Sequence, residues 1–226
     1  MPPARVPKHP VVKDRSERAE TRRGAILDAA LHVVAEHGLS ATTMERVALK
    51  AGVSPGTVTF HFARKEALLL AALDHVAAGF ETARREALAA AGDDPAQALD
   101  ALVDVSFDPT VSAPQHIAVW TAFWGEAKAR RIYRERVGAA DAAYYGDLKR
   151  LVRAVLARRP GASAGAREAD ALALGFAGVI DGLWQEALVA GRRFDRAAAR
   201  ALARAYLTAV FPHEALWTPH SRGEPS

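Results

Sequence analysis

The sequence predicts an all-α fold, in which a small N-terminal helical domain precedes a larger helical one. The chain has 226 residues, half of them hydrophobic, and it is rich in alanine, the strongest helix former. Apolar residues recur at helical spacing, and no stretch alternates apolar and polar residues as a strand does. Gly and Pro separate the helical segments, of which we expect about nine.

Composition excludes several classes of protein. There is no cysteine, so neither a disulfide framework nor a thiolate metal site is expected. No signal peptide or membrane-spanning apolar run is evident, which favours a cytoplasmic protein without a membrane partner. No phosphate-binding glycine loop, nucleophile elbow or metal-spaced cluster of His, Asp and Glu occurs, so we expect no catalytic residue, metal or cofactor.

The N-terminal segment, residues 1–16, is rich in Pro, Lys and Arg and has no apolar periodicity. We expect a disordered basic arm that either is inert or reaches along a DNA backbone or into a minor groove. A helix is predicted from about Glu17 to His37, with Ile26 and Val33 on its apolar face and Gly38 after its end.

The stretch from Thr42 to Phe62 predicts two short helices joined by a tight corner. Thr43 is suited to cap the first helix, and Gly52 allows a left-handed residue at its end. Ser54 then offers a second N-cap, followed by Pro at the first helical position. This pattern indicates a helix-turn-helix, although a plain helical hairpin has the same local signals.

The outer and leading face of the second short helix keeps polar and exposed residues, which are Ser54, Gly56, Thr57, Thr59, Phe60 and His61. Charge supports a DNA-facing role for this domain. Residues 1–65 hold 11 Lys or Arg against 6 Asp or Glu, whereas residues 66–226 hold 19 against 20. A basic balance confined to the helix-turn-helix segment is expected of a surface that faces phosphates.

The remaining helices are predicted from Gly and Pro breaks, at about 64–90, 95–107, 113–129, 131–159, 164–190 and 195–210. We therefore expect a DNA-binding domain at 17–63, a ligand-binding and dimerisation domain at 64–212, and a flexible tail at 213–226. The last two long helices carry small and apolar residues that suit close packing, among them Ala171, Leu174, Ala177, Ile180 and Leu202.

Aromatic residues of the second domain suggest a lined cavity. Trp120, Phe123 and Trp124 share one helix face, and Tyr133 and Trp184 lie on later helices. Aromatic faces attract quaternary ammonium groups, and Asp181 or Glu126 would balance the charge. An ordinary aromatic core is the alternative interpretation.

The N-terminal region resembles the TetR family of transcriptional regulators. The resemblance is carried by the pattern T-x-x-x-V-A-x-x-A-G-V-S-x-G-T-V-x-x-H-F-x-x-K-E-A-L-L, which runs from Thr43 to Leu69. The second domain is similar to the choline-responsive BetI branch, in AVWTAFWGEA (118–127), IYRERV (132–137) and the stretch 179–195.

The resemblance implies a homodimer whose two recognition helices, about Pro55 to His61, enter successive major grooves of a palindromic operator. It implies phosphate contacts by Thr43 and Lys65. Base-facing positions would be Gly56, Thr57, Thr59, Phe60 and His61, with Arg46 and Ser54 beside them. Phe60 replaces a Tyr common nearby in the family, so it can meet a thymine methyl but cannot donate a hydrogen bond.

We therefore expect a repressor that a small-molecule effector, a choline-like cation among the candidates, releases from DNA. Its ligand site would include Trp120, Phe123, Trp124, Tyr133, Asp181 and Trp184. A non-specific nucleoid-type DNA binder is the first alternative and an enzyme the second.

Overall fold

The structure is a computed structural model that describes residues 13–159, 165–214 and 216–217. These residues form nine α-helices and one short 3₁₀ helix, and none of them lies in a strand. The helices are α1 (Lys13–Ala41), α2 (Met44–Ala51), α3 (Pro55–His61), α4 (Lys65–Ala91), α5 (Pro95–Ser106), α6 (Pro114–Gly125), α7 (Ala127–Leu156), α8 (Ala166–Ala190), the 3₁₀ helix Gly191–Arg193 and α9 (Arg196–Val210).

The chain divides into two compact units between Ala72 and Leu73. In the first unit, α1 packs on α2 and α2 packs on α3, around a core that includes the fully buried Ile26, Val47 and Val58. In the second unit, α7 packs against α5, α6 and α8, and α9 packs against α5 and α8. Burial of apolar side chains in both units supplies the main driving force for this arrangement.

Several predicted helix boundaries differ from those in the structure. α1 begins at Lys13 rather than Glu17 and continues to Ala41, with a kink at Gly38, whose φ of 77° only Gly adopts without strain. α6 ends at Gly125 and α7 starts at Ala127, because the chain turns at Glu126, which has extended φ and ψ angles. Arm residues 1–12 and tail residues 218–226 lie outside the described residues.

Ion pairs fix the helices of the second unit. Arg84 of α4 is 3% exposed and donates to Glu81 at 2.8 Å and to Asp147 of α7. Arg204 of α9 donates to both carboxylate oxygens of Asp100 on α5, at 2.7 and 2.9 Å. A buried arginine must be paired to offset its desolvation, so these contacts hold the helices in one register.

α8, continued by the 3₁₀ helix, is long and apolar enough by length and composition to cross a membrane. Core helices of soluble proteins share this property, and here Phe176, Ile180 and Trp184 are buried within the second unit.

Gly175 lies where α8 and α9 cross, beside the side chain of Tyr206. A Cβ added there would collide with the hydroxyl of Tyr206, which donates to the carbonyl of Leu172 at 3.1 Å. We expect Gly175→Ala to lower the free energy of unfolding by about 1–3 kcal/mol, because the tyrosine must leave its place. Thermal unfolding followed by circular dichroism measures the effect.

Gly146→Ala on α7 is the matched control, since no heavy atom lies within 4 Å of its added Cβ. That variant should gain up to about 1 kcal/mol from helix propensity. Equal melting temperatures for the two variants would contradict the close α8–α9 approach.

Candidate nucleic-acid interface and aromatic cavity

The corner between α2 and α3 has the local geometry that the sequence predicted. Thr43 caps α2 by accepting from the N–H of Arg46 at 3.2 Å. Gly52 ends the helix with φ 65° and ψ 33°, the left-handed conformation. Ser54 caps α3 by accepting from the N–H of Thr57 at 3.2 Å, and Pro55 takes the first helical position.

One residue of α3 is buried, and its other residues are exposed or half-buried. Val58 is fully buried, and Phe62 beyond the helix end is 4% exposed under the guanidinium of Arg23, 5.0 Å from the ring centre. Phe60, by contrast, is 84% exposed, although exposing an aromatic ring to water does not stabilise the isolated protein. The remaining predicted positions are exposed or half-buried, and these are Ser54, Gly56, Thr57, Thr59 and His61.

Internal contacts hold several of these polar side chains. The hydroxyls of Ser54 and Thr57 lie 2.9 Å apart, and the Thr59 hydroxyl donates to the carbonyl of Pro55 at 3.1 Å. The His61 ring meets Phe60 edge to face, with 5.3 Å between ring centres. Gly56 has only Ser54 Oγ, at 3.8 Å, within reach of an added Cβ, so this face is open to a close partner.

The two predicted cationic contacts are anchored to backbone carbonyls. Lys65, the first residue of α4, donates from Nζ to the carbonyl of Ser40 at 2.8 Å, and Arg46 donates from Nη1 to that of Ala41. An ammonium has three donors and a guanidinium five, so both groups keep donors for an anion while their positions are set by the fold.

A cavity of about 180 Å³ lies within the second unit, among α4, α6, α7 and α8. Among the residues that the structure describes, seven aromatic residues, two carboxylates and one isoleucine line it, and none of these is basic. They are Phe80, Trp120, Trp124, Tyr133, Asp141, Tyr144, Tyr145, Ile180, Asp181 and Trp184.

The aromatic residues form two clusters, which we call the indole cluster and the mixed cluster. In the indole cluster, Trp120 stacks on Trp124 at 6.2 Å and meets Tyr133 edge to face at 5.8 Å. The mixed cluster is formed by Phe80, Tyr144, Tyr145 and Trp184. Its Phe80 meets Tyr144 at 5.7 Å and Trp184 at 6.0 Å, both edge to face.

One carboxylate is hydrogen-bonded and the other has no such bond among the described residues. Asp141 accepts from the hydroxyl of Tyr133 at 2.9 Å, which fastens it to the indole cluster. Burial raises the pKa of Asp181 from 3.8 to about 6, and the negative charge of Asp141 adds to this rise. Burial likewise raises the pKa of Tyr144, with the charge of Asp181 contributing. A cation in the cavity would relieve this excess of negative charge.

Five of the six predicted ligand-site residues line the cavity, and Phe123 does not. Phe123 is 3% exposed and packs in the core, because the cavity-facing side of α6 carries Trp120 and Trp124 at i and i+4. Glu126, the predicted alternative to Asp181, is exposed and does not line the cavity, whose second carboxylate is that of Asp141.

Sequence reasoning did not predict five of the cavity residues, which are Phe80, Asp141, Tyr144, Tyr145 and Ile180. Part of this set could have been found from the sequence, because Asp141, Tyr144 and Tyr145 fall at i, i+3 and i+4 and therefore share one face of a helix.

Comparison with known families covers both units. Residues 26–72 match the model of bacterial regulatory proteins of the tetR family, and residues 95–212 match that of the BetI-type transcriptional repressor C-terminal domain. The transcriptional regulator BetI of Burkholderia thailandensis is 37% identical over 190 residues, covering 83% of this chain and 92% of that protein. BetI of Paraburkholderia phytofirmans is 31% identical over 195 residues, covering 84% and 94%.

Solved structures share the fold at lower identity. A transcriptional regulator from Pseudomonas aeruginosa PAO1 is 24% identical, with a TM-score of 0.65 over 85% of this chain and 91% of that one. A regulator from Saccharomonospora viridis, solved in complex with choline, is 22% identical, with a TM-score of 0.64 over 83% and 96%. The chain therefore belongs to the TetR family of bacterial regulatory proteins, in its BetI-type branch, and is a sequence-specific DNA-binding transcriptional regulator.

Proposed function

We propose that this regulator is a cytoplasmic homodimeric repressor that a small quaternary ammonium cation of the choline type releases from a palindromic operator. The observation that carries the ligand class is the cavity, in which seven aromatic residues and two carboxylates surround a volume of about 180 Å³. Aromatic faces attract a desolvated cation by up to about 2 kcal/mol each, which suits an ammonium that cannot donate hydrogen bonds.

Charge and size narrow the ligand further. Among the described residues no basic side chain lines the cavity, so an anion would meet two carboxylates there and no cationic side chain. The volume is below the roughly 300–1,000 Å³ of pockets that hold drug-sized ligands, so a small cation fits better than a large one. The choline complex of the Saccharomonospora viridis regulator supports the same ligand class.

Release from DNA would act through α4. This helix begins at Lys65, a predicted phosphate contact, and carries Phe80 in the cavity wall. If the cation binds more tightly when Phe80 and α4 are in one position than in another, it shifts the equilibrium between the two positions by the ratio of the two affinities. Coupling between two ligands is reciprocal, so the operator affinity changes by the same factor as the cation affinity.

The experiment that tests this proposal starts with selection of bound sites from random DNA at near-physiological salt. We expect a short palindrome whose half-sites are centred about 34–36 Å apart, one turn of DNA. Choline added to the complex with that operator should then release it, whereas sodium chloride at equal concentration should not. Salt-sensitive binding without a consensus, or a complex indifferent to choline, would overturn the proposal.

The outer faces of α8 and α9 support the homodimer. Leu174 is 64% exposed, Val189 81% and Leu202 53%. Exposed small residues continue both stripes at helical spacing, and these are Ala171, Gly178 and Gly182 on α8 and Ala198, Ala205 and Ala209 on α9. Two adjacent uncharged stripes suit a two-fold interface with the same stripes of a second copy. Ala177 and Ile180, grouped with this face from the sequence, are instead buried within the protomer.

We expect Leu174→Glu combined with Leu202→Glu to convert the dimer to a monomer at micromolar concentration, because each copy would place two unpaired carboxylates in the interface. Light scattering coupled to gel filtration measures the mass. Leu49→Glu is the matched control, since Leu49 is 83% exposed on α2 and its variant should keep the dimer mass. A monomeric wild type, or a double variant that stays dimeric, would refute this interface.

A further inference from the structure

Arg23, an exposed residue of α1, carries a positive charge that no carboxylate neutralises among the described residues. Its guanidinium carbon lies 5.0 Å from the centre of the Phe62 ring, and that ring is the contact recorded for the side chain. Lys50 and Lys65 of the same unit differ, because Lys50 pairs with Glu36 at 2.6 Å and Lys65 donates to a backbone carbonyl. Cation–π attraction uses the face of the ring and no N–H group, so the five donors of Arg23 remain for an anion.

The contact with Phe62 places this guanidinium at one end of the recognition helix. Phe62 directly follows α3, and its ring centre lies 6.3 Å from that of His61, the last residue of the helix. The Phe62 side chain is 4% exposed, so the core holds the ring in place. Lys65, a predicted phosphate contact, comes three residues later at the start of α4. Arg23 therefore flanks the same end of α3 as Lys65 does.

The sugar-phosphate backbone is the anion that a cation in this place would meet. The major groove of DNA is about 12 Å wide and is bordered by a row of phosphates on each side. α3 has seven residues and spans roughly 10 Å, at about 1.5 Å per residue. When a helix of this length enters the groove, groups just beyond its end come to a phosphate row. A planar guanidinium suits such a partner, since it donates two parallel hydrogen bonds to one phosphate.

We propose that Arg23 is a DNA-backbone contact, whose guanidinium, held over Phe62, donates to a phosphate that borders the groove entered by α3. The inference concerns the DNA-binding unit alone and does not depend on the effector. The ring contact limits the conformations of a long side chain before DNA arrives, so binding loses less side-chain entropy. Arg23 thereby sets position and affinity and does not read sequence, because every site presents the same phosphates.

The test measures binding of full-length Arg23→Gln to the selected operator by fluorescence anisotropy, at salt concentrations from about 50 to 200 mM. The slope of log K against log[salt] should become shallower by about 0.9 for each bound protomer, because one phosphate contact is lost. Affinity at near-physiological salt should fall at least about fivefold, and by the same factor for the operator and for unrelated DNA.

Arg193→Gln is the matched control, because it removes another exposed arginine, which lies on the 3₁₀ helix of the second unit. Its salt slope and affinity should equal those of the wild type. Arg23→Lys keeps the charge but lacks the planar fork, so it should keep the salt slope and recover only part of the affinity. Thermal melting curves check that all three variants are folded at the temperature of the assay.

A second measurement locates the phosphate. Operators in which a neutral methylphosphonate replaces one phosphate at a time are compared for the wild type and Arg23→Gln. At one position in each half-site the replacement should weaken wild-type binding at least about fivefold and leave the affinity of Arg23→Gln unchanged. Such non-additivity identifies two groups that interact with each other.

The outcomes separate this inference from the proposed function. An unchanged salt slope in Arg23→Gln, or losses that add at every phosphate, would refute the backbone contact. A loss confined to the operator with the salt slope intact would also refute it, since Arg23 would then read bases. If the wild type selects no palindrome, the proposed operator fails, and the salt slope on unrelated DNA still decides the role of Arg23.

Discussion

Replacement of both Thr57 and His61 by Ala is expected to lower operator affinity at least about 100-fold, since each well-placed base contact contributes about 1–3 kcal/mol. Both residues lie on α3, whose start is set by the Ser54 cap and whose inner side is anchored by Val58. Fluorescence anisotropy with the selected operator measures the loss. Non-specific binding should persist, because the predicted phosphate contacts Thr43 and Lys65 are unchanged.

His32→Ala is the control for this pair of substitutions. His32 is an exposed histidine of the same unit, on α1, with its ring against the carbonyl of Asp28 at 2.8 Å. Its variant should keep full operator affinity. Thermal melting curves of both variants test whether unfolding, rather than the lost contacts, lowers the operator affinity. Undiminished operator affinity in the double variant would show that α3 does not read the DNA.

Asp181→Asn is expected to weaken choline binding at least about 30-fold, because it removes a partly buried counter-charge while leaving the shape of the cavity unchanged. The same variant should be more stable than the wild type without ligand. The raised pKa of Asp181 shows that the fold disfavours its charged form. After allowance for solvent screening, the neutral amide should gain about 1–2 kcal/mol at pH 7.5, or a few degrees in Tm.

Asp170→Asn on the same helix serves as the control, since Asp170 pairs at the surface with Lys149 and Arg153. It should leave choline affinity unchanged. If this one substitution weakens choline binding and also raises the free energy of unfolding, the carboxylate of Asp181 serves ligand binding at a cost in stability. An Asp181→Asn protein that binds choline as the wild type does would exclude the carboxylate as the ammonium partner.

The pKa of about 6 also predicts how choline binding depends on pH. Below that value Asp181 holds a proton and is neutral, so affinity should fall about tenfold from pH 7.5 to pH 5 and level off above pH 7. The free energy of unfolding of the ligand-free protein has the opposite trend. Its Asp181 contribution falls as pH rises from about 4 to about 6, because the folded state binds the proton more tightly. Both trends should be weaker in Asp181→Asn, where Asp141, whose pKa is also raised by burial, still titrates in the cavity.

Local chemistry explains why the helix-turn-helix was predictable. Its caps and corner depend on Thr43, Gly52, Ser54 and Pro55, each of which acts on backbone groups within a few residues of itself. The kink at Gly38 was harder to place, because a glycine inside an apolar pattern signals either a helix end or a bend.

The full set of cavity residues could not be predicted from the sequence, because residues far apart in the chain meet there. Phe80 and Trp184 are 104 positions apart, yet their ring centres lie 6.0 Å apart because the fold brings the two side chains to one cavity. The spacing of Trp120, Phe123 and Trp124 indicated one helix face, yet only the packing of α6 decided that Phe123 belongs to the core. Helical periodicity reports which residues share a side, and a side about 100° wide can face both a core and a cavity.

The sequence by itself determined the all-α class, the helix-turn-helix with its caps and the basic character of the first 65 residues, because these follow from short-range hydrogen bonding and from composition. The tertiary structure alone decided the two carboxylates of the cavity, the tether of Asp141 to Tyr133 and the outward faces of α8 and α9. The physical reason is that burial, and with it the cost of a charge or an unpaired donor, depends on which helices meet.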